Sequence, residues 1–139
     1  QRLRDVREWD LKVSFDAGIL AENAARFSAT IQAIENEIAA APPGRKYLLE
    51  RKRGAVTKSE VARVAAEEAG SVLEAVRPLA ASVITLPIPQ AREHLPVVLY
   101  AALLIDRGRE HELISRLEDQ ISKYTDAGIE IGFSGPWAP

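Results

Sequence analysis

The densest group of side chains that could bind a ligand is cationic and follows a Pro-Pro-Gly turn. Its members are Arg45, Lys46, Arg51, Lys52, Arg53 and Lys58. Such a cluster suits a docking patch for an acidic partner or for RNA. The competing interpretation, which we favour, is a solvated helix face that Glu50 and Glu60 partly neutralise. RNA binding would also need stacking aromatics on central strands, and the most apolar segment, VVLYAALLI, offers only Tyr100. We therefore predict no nucleic-acid partner.

The remaining reactive residue types do not form a catalytic pattern. His94 and His111 each stand in an Arg-Glu-His triplet without a second histidine at helical spacing, which indicates surface residues rather than metal ligands. The glutamates of the helical segments fall on predicted polar faces, away from the apolar stripes; they are Glu22, Glu35, Glu37, Glu67 and Glu68. Nucleophile-elbow and phosphate-loop motifs are absent from the sequence. We predict no enzyme activity, metal, cofactor or small-molecule substrate.

The composition predicts one globular domain in a reducing compartment. Of the 139 residues, 47% are hydrophobic and 27% charged, with a net charge of −2. Cysteine is absent, which suits the cytoplasm. The apolar run VVLYAALLI at 97–105 is far shorter than the about 20 residues of a membrane-spanning helix, so we expect no membrane partner. Because methionine is also absent, we expect a longer protein with an upstream domain.

The first part of the chain predicts a strand and then a helical hairpin. Residues 9–15 alternate between apolar and polar side chains, which is typical of a strand with one buried face. Residues 17–80 then carry apolar stripes at helical spacing. Asp16 caps a first helix of about six turns, and Pro42 and Pro43 end it. The second helix is expected to break or dent at Gly54, with a possible restart at Thr57.

The second part predicts three more strands and one helix. The strands are 82–88, which carries Pro87, the strongly apolar 97–106, and 128–134; the helix is 109–125, and 135–139 is a tail. The resulting order, βαββαβ, is typical of the ferredoxin-like fold. We therefore predict an α+β domain over 1–139 with an antiparallel sheet. Its first and third strands are central, and its first crossover contains the long inserted helical hairpin.

Three segments together resemble the gas vesicle protein L/F family (GvpL/GvpF). They are EWDLKVSFD with Trp9, PGRKYLLERKR after a glutamate-rich helix, and the closing IEIGFSGPWAP. The family typically shows Gly-Arg-x-Tyr-Leu-Leu before basic residues, and ends on a strand that runs into Gly-Pro-Trp-Pro-Pro-Tyr. The matching positions are Gly44, Arg45, Tyr47, Leu48, Leu49, Gly135, Pro136, Trp137 and Pro139. Ala138 departs from the pattern, and the chain stops before the family's aromatic end, so the resemblance is to a C-terminal domain.

The resemblance implies a non-enzymatic accessory protein of gas vesicle formation. It would bind the small hydrophobic shell protein, assist its assembly and associate with gas vesicles, with other accessory proteins as further partners. The candidate partner-binding residues are Arg45, Lys46, Tyr47, Arg51, Lys52 and Trp137. Structural roles are expected for Trp9, Gly44, Leu48, Leu49, Gly135 and Pro136. After a turn at Gly135 and Pro136, Trp137 is expected to fold back over the sheet or the helices. The alternative is a ferredoxin-like regulatory domain that binds a small molecule.

Overall fold

A four-stranded antiparallel sheet lies at the centre of the computed structural model, which describes residues 5–88 and 95–138. The strands are β1 (Val6–Phe15), β2 (Ala80–Thr85), β3 (Val97–Asp106) and β4 (Ile129–Trp137). The helices are α1 (Ala17–Glu22), α2 (Ala29–Ala40), α3 (Pro43–Val76) and α4 (Glu110–Tyr124). Short 3-10 turns occur at 24–26, 77–79, 107–109 and 125–127. The predicted α+β class is confirmed. His94 and Pro139 lie outside the described residues.

The strand order across the sheet is β2-β3-β1-β4. The pairing of β1 with β3 runs from Val6 opposite Asp106 to Ser14 opposite Val97. The first and third strands are therefore central, and the second and fourth lie at the edges. Because alternate residues of a strand point to the same side, one face of β1 is buried throughout. The residues of that face are Trp9, Leu11, Val13 and Phe15.

The single first helix predicted for the crossover is divided in two. Asp16 caps α1 through a hydrogen bond from the Ile19 amide, as predicted. The helix stops at Asn23, whose side chain donates to the Ile19 carbonyl, and Ser28 then caps α2 by accepting from the Ile31 amide. Short polar side chains compete for backbone groups in this way. The apolar stripe continues across the break, which is why the periodicity alone does not show it.

The second helix is longer and more regular than predicted. α3 runs for 34 residues without interruption, so the expected break at Gly54 and restart at Thr57 were wrong. A glycine inside a helix costs only about 1 kcal/mol relative to alanine, and it keeps its own backbone hydrogen bonds. The packing of α3 against α2 and the sheet offsets that cost. Its buried residues between Val61 and Val76 cover the sheet.

Several strand boundaries also differ from the prediction. β1 begins at Val6 rather than at residue 9, and β2 begins at Ala80 rather than at residue 82. β2 ends at Thr85 rather than at residue 88, because Pro87 has no N–H to donate to a ladder. β4 does not end at residue 134 but continues through the predicted tail to Trp137, where the pairing with β1 is resumed after an irregularity. β3 matches its predicted range, and α4 begins and ends within one residue of its own.

α4 completes the layer of helices over the sheet. Its Leu113, Leu117 and Tyr124 are buried in the same core as β1 and α3. The Tyr124 hydroxyl donates to Glu68 of α3 at 2.7 Å, which ties the two helices together. Burial raises the pKa of Tyr124 above its ordinary value, and the Glu68 carboxylate adds to this shift. The phenol is therefore neutral at physiological pH.

Candidate functional site

Trp9 is the centre of a packed group at one end of the sheet, which we call the Trp9 cluster (Arg7, Trp9, Glu110, Phe133 and Gly135). The Trp9 side chain is only 5% exposed. Its indole Nε1 donates to Glu110 Oε2 at 2.8 Å, and its ring centroid lies 6.1 Å from that of Phe133. The indole ring is thus packed in the core, and its N–H has a hydrogen-bond acceptor.

Position 135 is the one position of this cluster that requires glycine. Its φ is +144°, a backbone conformation that residues with a Cβ rarely adopt. A Cβ built there would lie 2.9 Å from the Glu8 carbonyl oxygen and 2.9 Å from Cδ2 of Trp9. The closing signature therefore meets the opening one in space, because the backbone of Gly135 packs directly against the Trp9 ring.

Glu110 and Arg7 form an ion pair next to Trp9, in which the carboxylate is nearly buried and the guanidinium is partly exposed. Glu110 is the first residue of α4 and is 8% exposed. It accepts from Arg7 Nε at 3.0 Å, and Arg7 Nη2 bonds its second oxygen. The hydrogen bond from Arg7 holds the pKa of Glu110 below its ordinary value; burial opposes this, and the Trp9 N–H supports it. Sequence reasoning missed this pair, for which the only signal was an acidic residue in the first turn of a helix.

Trp137 does not fold back over the core as expected. It is the last residue of β4, pairs with Glu8 of β1, and is 50% exposed. The pairing holds the backbone extended, so the indole stays on the surface at the end of the sheet. The prediction of a turn followed by a tail was wrong because the ladder continues past Gly135 and Pro136.

The second signature lies at the start of α3 and is mostly exposed. Tyr47 is 61% and Leu48 63% exposed, whereas Leu49 is 6% exposed and belongs to the core. Gly44 has nothing within 4 Å of where a Cβ would be. Of the residues assigned a structural role, Leu49 is therefore packed, while Leu48 and Gly44 face open space. Tyr47 and Leu48 form an apolar pair beside the cations.

The cations of this region are only partly neutralised. Arg53 Nε bonds Glu35 Oε2 at 2.7 Å, and Arg45 Nη2 lies 3.9 Å from Glu37 Oε2. The acids of α2 thus pair with two members of the cluster across the hairpin. Within the described residues, the other members have no ion pair; they are Lys46, Arg51, Lys52 and Lys58. The predicted solvated face therefore retains a positive surplus.

The candidate partner-binding residues do not form one surface. Trp137 lies opposite Glu8, near the start of β1. α3 ends at the same end of the sheet as Trp137. It leads through one 3-10 turn into β2, and Ala80 at the start of β2 pairs with Ile105 near the end of β3. Arg45 is near the other end of α3, about 45 Å away along a helix that rises 1.5 Å per residue. The structure brings Trp9 and Gly135 together and keeps Trp137 apart from the cations.

Residues 5–88 and 95–138 lack two other kinds of feature, a cluster of metal ligands and a membrane-spanning helix. These residues contain no group of three or more histidine, cysteine, aspartate or glutamate side chains that could hold a metal ion. The exposed His111 is the only histidine among them. No helix in this part of the chain combines the length and apolar character needed to cross a membrane.

The model of the gas vesicle synthesis protein GvpL/GvpF family matches residues 1–139. The chain belongs to this family. Membership supports an accessory role connected with gas vesicles. No curated protein matches the chain significantly.

Two crystal structures of GvpF share the fold of this GvpL/GvpF family member. GvpF from Anabaena sp. PCC7120 has a TM-score of 0.63 at 18% identity, over 97% of this chain and 52% of its own. GvpF from Microcystis aeruginosa has a TM-score of 0.60 at 17% identity, over 97% of this chain and 53% of its own. The chain thus spans about half the length of these proteins.

Proposed function

We propose that this chain is a non-enzymatic accessory module of gas vesicle formation that binds the small hydrophobic shell protein and assists its assembly. The observation that carries the proposal is the family match along the whole chain. On this proposal, the chain is the ferredoxin-like C-terminal domain of a longer cytoplasmic protein, associated with gas vesicles, and it needs no cofactor. Other accessory proteins of the vesicle are further partners.

The start of α3 is the part of the surface that best suits such a partner. Exposed apolar side chains next to cations combine apolar contact with electrostatic steering. Tyr47 and Leu48 supply the apolar contact, and Lys46, Arg51 and Lys52 supply charge that no acid on α2 takes up. An aromatic residue flanked by cations is typical of binding hot spots. Trp137 is the competing anchor at the opposite end of the molecule.

A pull-down of the purified shell protein by the full-length protein tests this proposal. The double variant Tyr47→Ala/Leu48→Ala is expected to lose binding at least tenfold, while Trp137→Ala, the matched exposed aromatic at the other end, keeps it. Loss of binding in Trp137→Ala alone would move the interface to the end of the sheet. Absence of binding by the unmodified full-length protein, with a metabolite found bound to it by mass spectrometry, would contradict the proposal and favour a regulatory small-molecule domain.

A further inference from the structure

A groove runs between α1 and α3, beside the end of β1. Phe15 and Val61, both buried, form its apolar floor. Several of its other lining residues have little or no side chain, among them Gly18, Gly54 and Ala62, and each of these three is exposed. Small walls leave room for the backbone of another element to approach closely, since the distance between packed helices depends on the side chains at the contact.

The side chain of Thr57 indicates that the groove lacks a hydrogen-bonding partner. It lines the groove, is only 4% exposed, and its Oγ1 has no hydrogen-bond partner among the described residues. Nearly all buried polar side chains are paired, and a threonine inside a helix ordinarily bonds a carbonyl of the preceding turn. A polar group that enters the groove could satisfy this hydroxyl after a small side-chain movement. Thr57 is therefore an observation independent of the small residues around it.

The charged side chains that line the groove are both cationic. Lys58 lies on the rim, and within the described residues neither it nor Arg51 has an ion pair. Arg53, which also lines the groove from α3, is paired with Glu35. Glu50 is the one acidic residue between Arg45 and Lys58. An occupant with carboxylates along its margin would complement this rim, whereas a cationic one would be repelled.

The face of α3 that lines the groove continues along the helix toward the exposed signature. Tyr47, Arg51, Gly54, Lys58 and Ala62 are spaced by three or four residues, which places them on the same side of a helix. From Tyr47 to Ala62 this face is about 22 Å long at 1.5 Å per residue. That length accommodates four turns of a second helix laid alongside.

We propose that the α1–α3 groove is a docking site for an amphipathic α-helix of a partner protein, apolar on the side that enters the groove and acidic along its margins. An extended segment is disfavoured because it needs unpaired main-chain groups, and the interiors of α1 and α3 use theirs within the helices. The groove is a surface distinct from the Trp9 cluster. The inference does not depend on the shell protein being the partner, because the groove's own shape and charge define the occupant.

A designed peptide tests this directly. The probe is a labelled 16-residue helix with leucine and alanine on one face and glutamate at its margins; its matched control carries lysine in place of glutamate. With the purified chain, fluorescence anisotropy is expected to show binding of the glutamate peptide that weakens as salt is raised, and at least tenfold weaker binding of the lysine peptide. Amide shifts in NMR spectra are expected to map to α1 and to residues 47–62 of α3.

Two variants connect the binding to the groove. Ala62→Trp fills the groove and is expected to weaken binding of the glutamate peptide at least tenfold, whereas Ser59→Trp, at an exposed position of α3 that does not line the groove, leaves binding unchanged. Lys58→Glu, a surface change, is expected to reverse the preference toward the lysine peptide. Equal binding of both peptides, shifts on the uncovered face of the sheet, or no binding at millimolar peptide would each overturn the proposal.

Discussion

At the end of the sheet, Trp9 is 5% exposed and the backbone of Gly135 packs against its ring, whereas at the start of α3 Tyr47 and Leu48 are 61% and 63% exposed. Both segments belong to the pattern that relates this chain to the GvpL/GvpF family. At the end of the sheet, the signature residues pack against one another. At the start of α3, Leu49 is buried, whereas its neighbours Tyr47 and Leu48 are exposed. A sequence signature therefore combines residues that hold the fold with residues that the fold leaves free for a partner.

The largest difference between the two regions is expected at their glycines. Gly135→Ala should lower the free energy of unfolding by about 2–4 kcal/mol, because the new Cβ meets the Glu8 carbonyl and the Trp9 ring at a positive φ. Gly44→Ala is the matched change in the other signature and should shift stability by no more than about 0.5 kcal/mol, since its surroundings are open. Urea unfolding of both variants measures this. Equal losses of unfolding free energy in the two variants would contradict the distinction between a packed and an exposed signature.

The ion pair beside Trp9 should give the next largest effect, with a defined pH dependence. Glu110→Gln removes the charge that Arg7 neutralises and should cost about 2 kcal/mol at pH 7. Because the pKa of Glu110 is lowered in the folded state, its contribution is complete above the ordinary glutamate pKa. The contribution is lost as the pH falls below about 4 and through the folded value.

The measurement is the free energy of unfolding of the wild type and the variant between pH 7 and pH 2. The two curves should converge at the acidic end. Glu74→Gln is the control, since Glu74 pairs with Arg77 on the exposed surface of the same fold, and exposed pairs contribute only about 0–1 kcal/mol. A constant gap between wild type and Glu110→Gln down to pH 2 would show that packing, not charge, accounts for the loss.

The sequence predicted the elements with strong periodicity and missed those that depend on contacts between distant segments. The alternation around Leu11 and the apolar run around Leu103 are local patterns, and both strands are found where expected. The break between α1 and α2 depends on how Asn23 and Ser28 choose among backbone partners. The extension of β4 to Trp137 depends on pairing with Glu8, which no local pattern encodes.

The residues of the candidate site also divide into those that a local sequence pattern predicts and those that depend on tertiary contacts. The cations and Tyr47 could be found from their density and spacing, because exposed residues on one helix need no tertiary information. The contact between Trp9 and Gly135, the Arg7–Glu110 pair and the unsatisfied Thr57 each join segments or depend on burial. Trp137 was predicted to bind a partner together with the cations, but the length of α3 separates it from them.

The smallest stability effects should come from the residues with the greatest proposed role in binding. Tyr47→Ala/Leu48→Ala removes side chains that are already more than half exposed in the folded state, and alanine has the higher helix propensity. The free energy of unfolding should therefore change by less than about 0.5 kcal/mol. Thermal and urea unfolding of this variant, beside Leu49→Ala as the buried neighbour expected to cost about 2–4 kcal/mol, separates the two roles within one short motif. A loss above about 2 kcal/mol in the double variant would mean that Tyr47 and Leu48 pack within the fold, and a failed pull-down with it would then report unfolding rather than a missing contact.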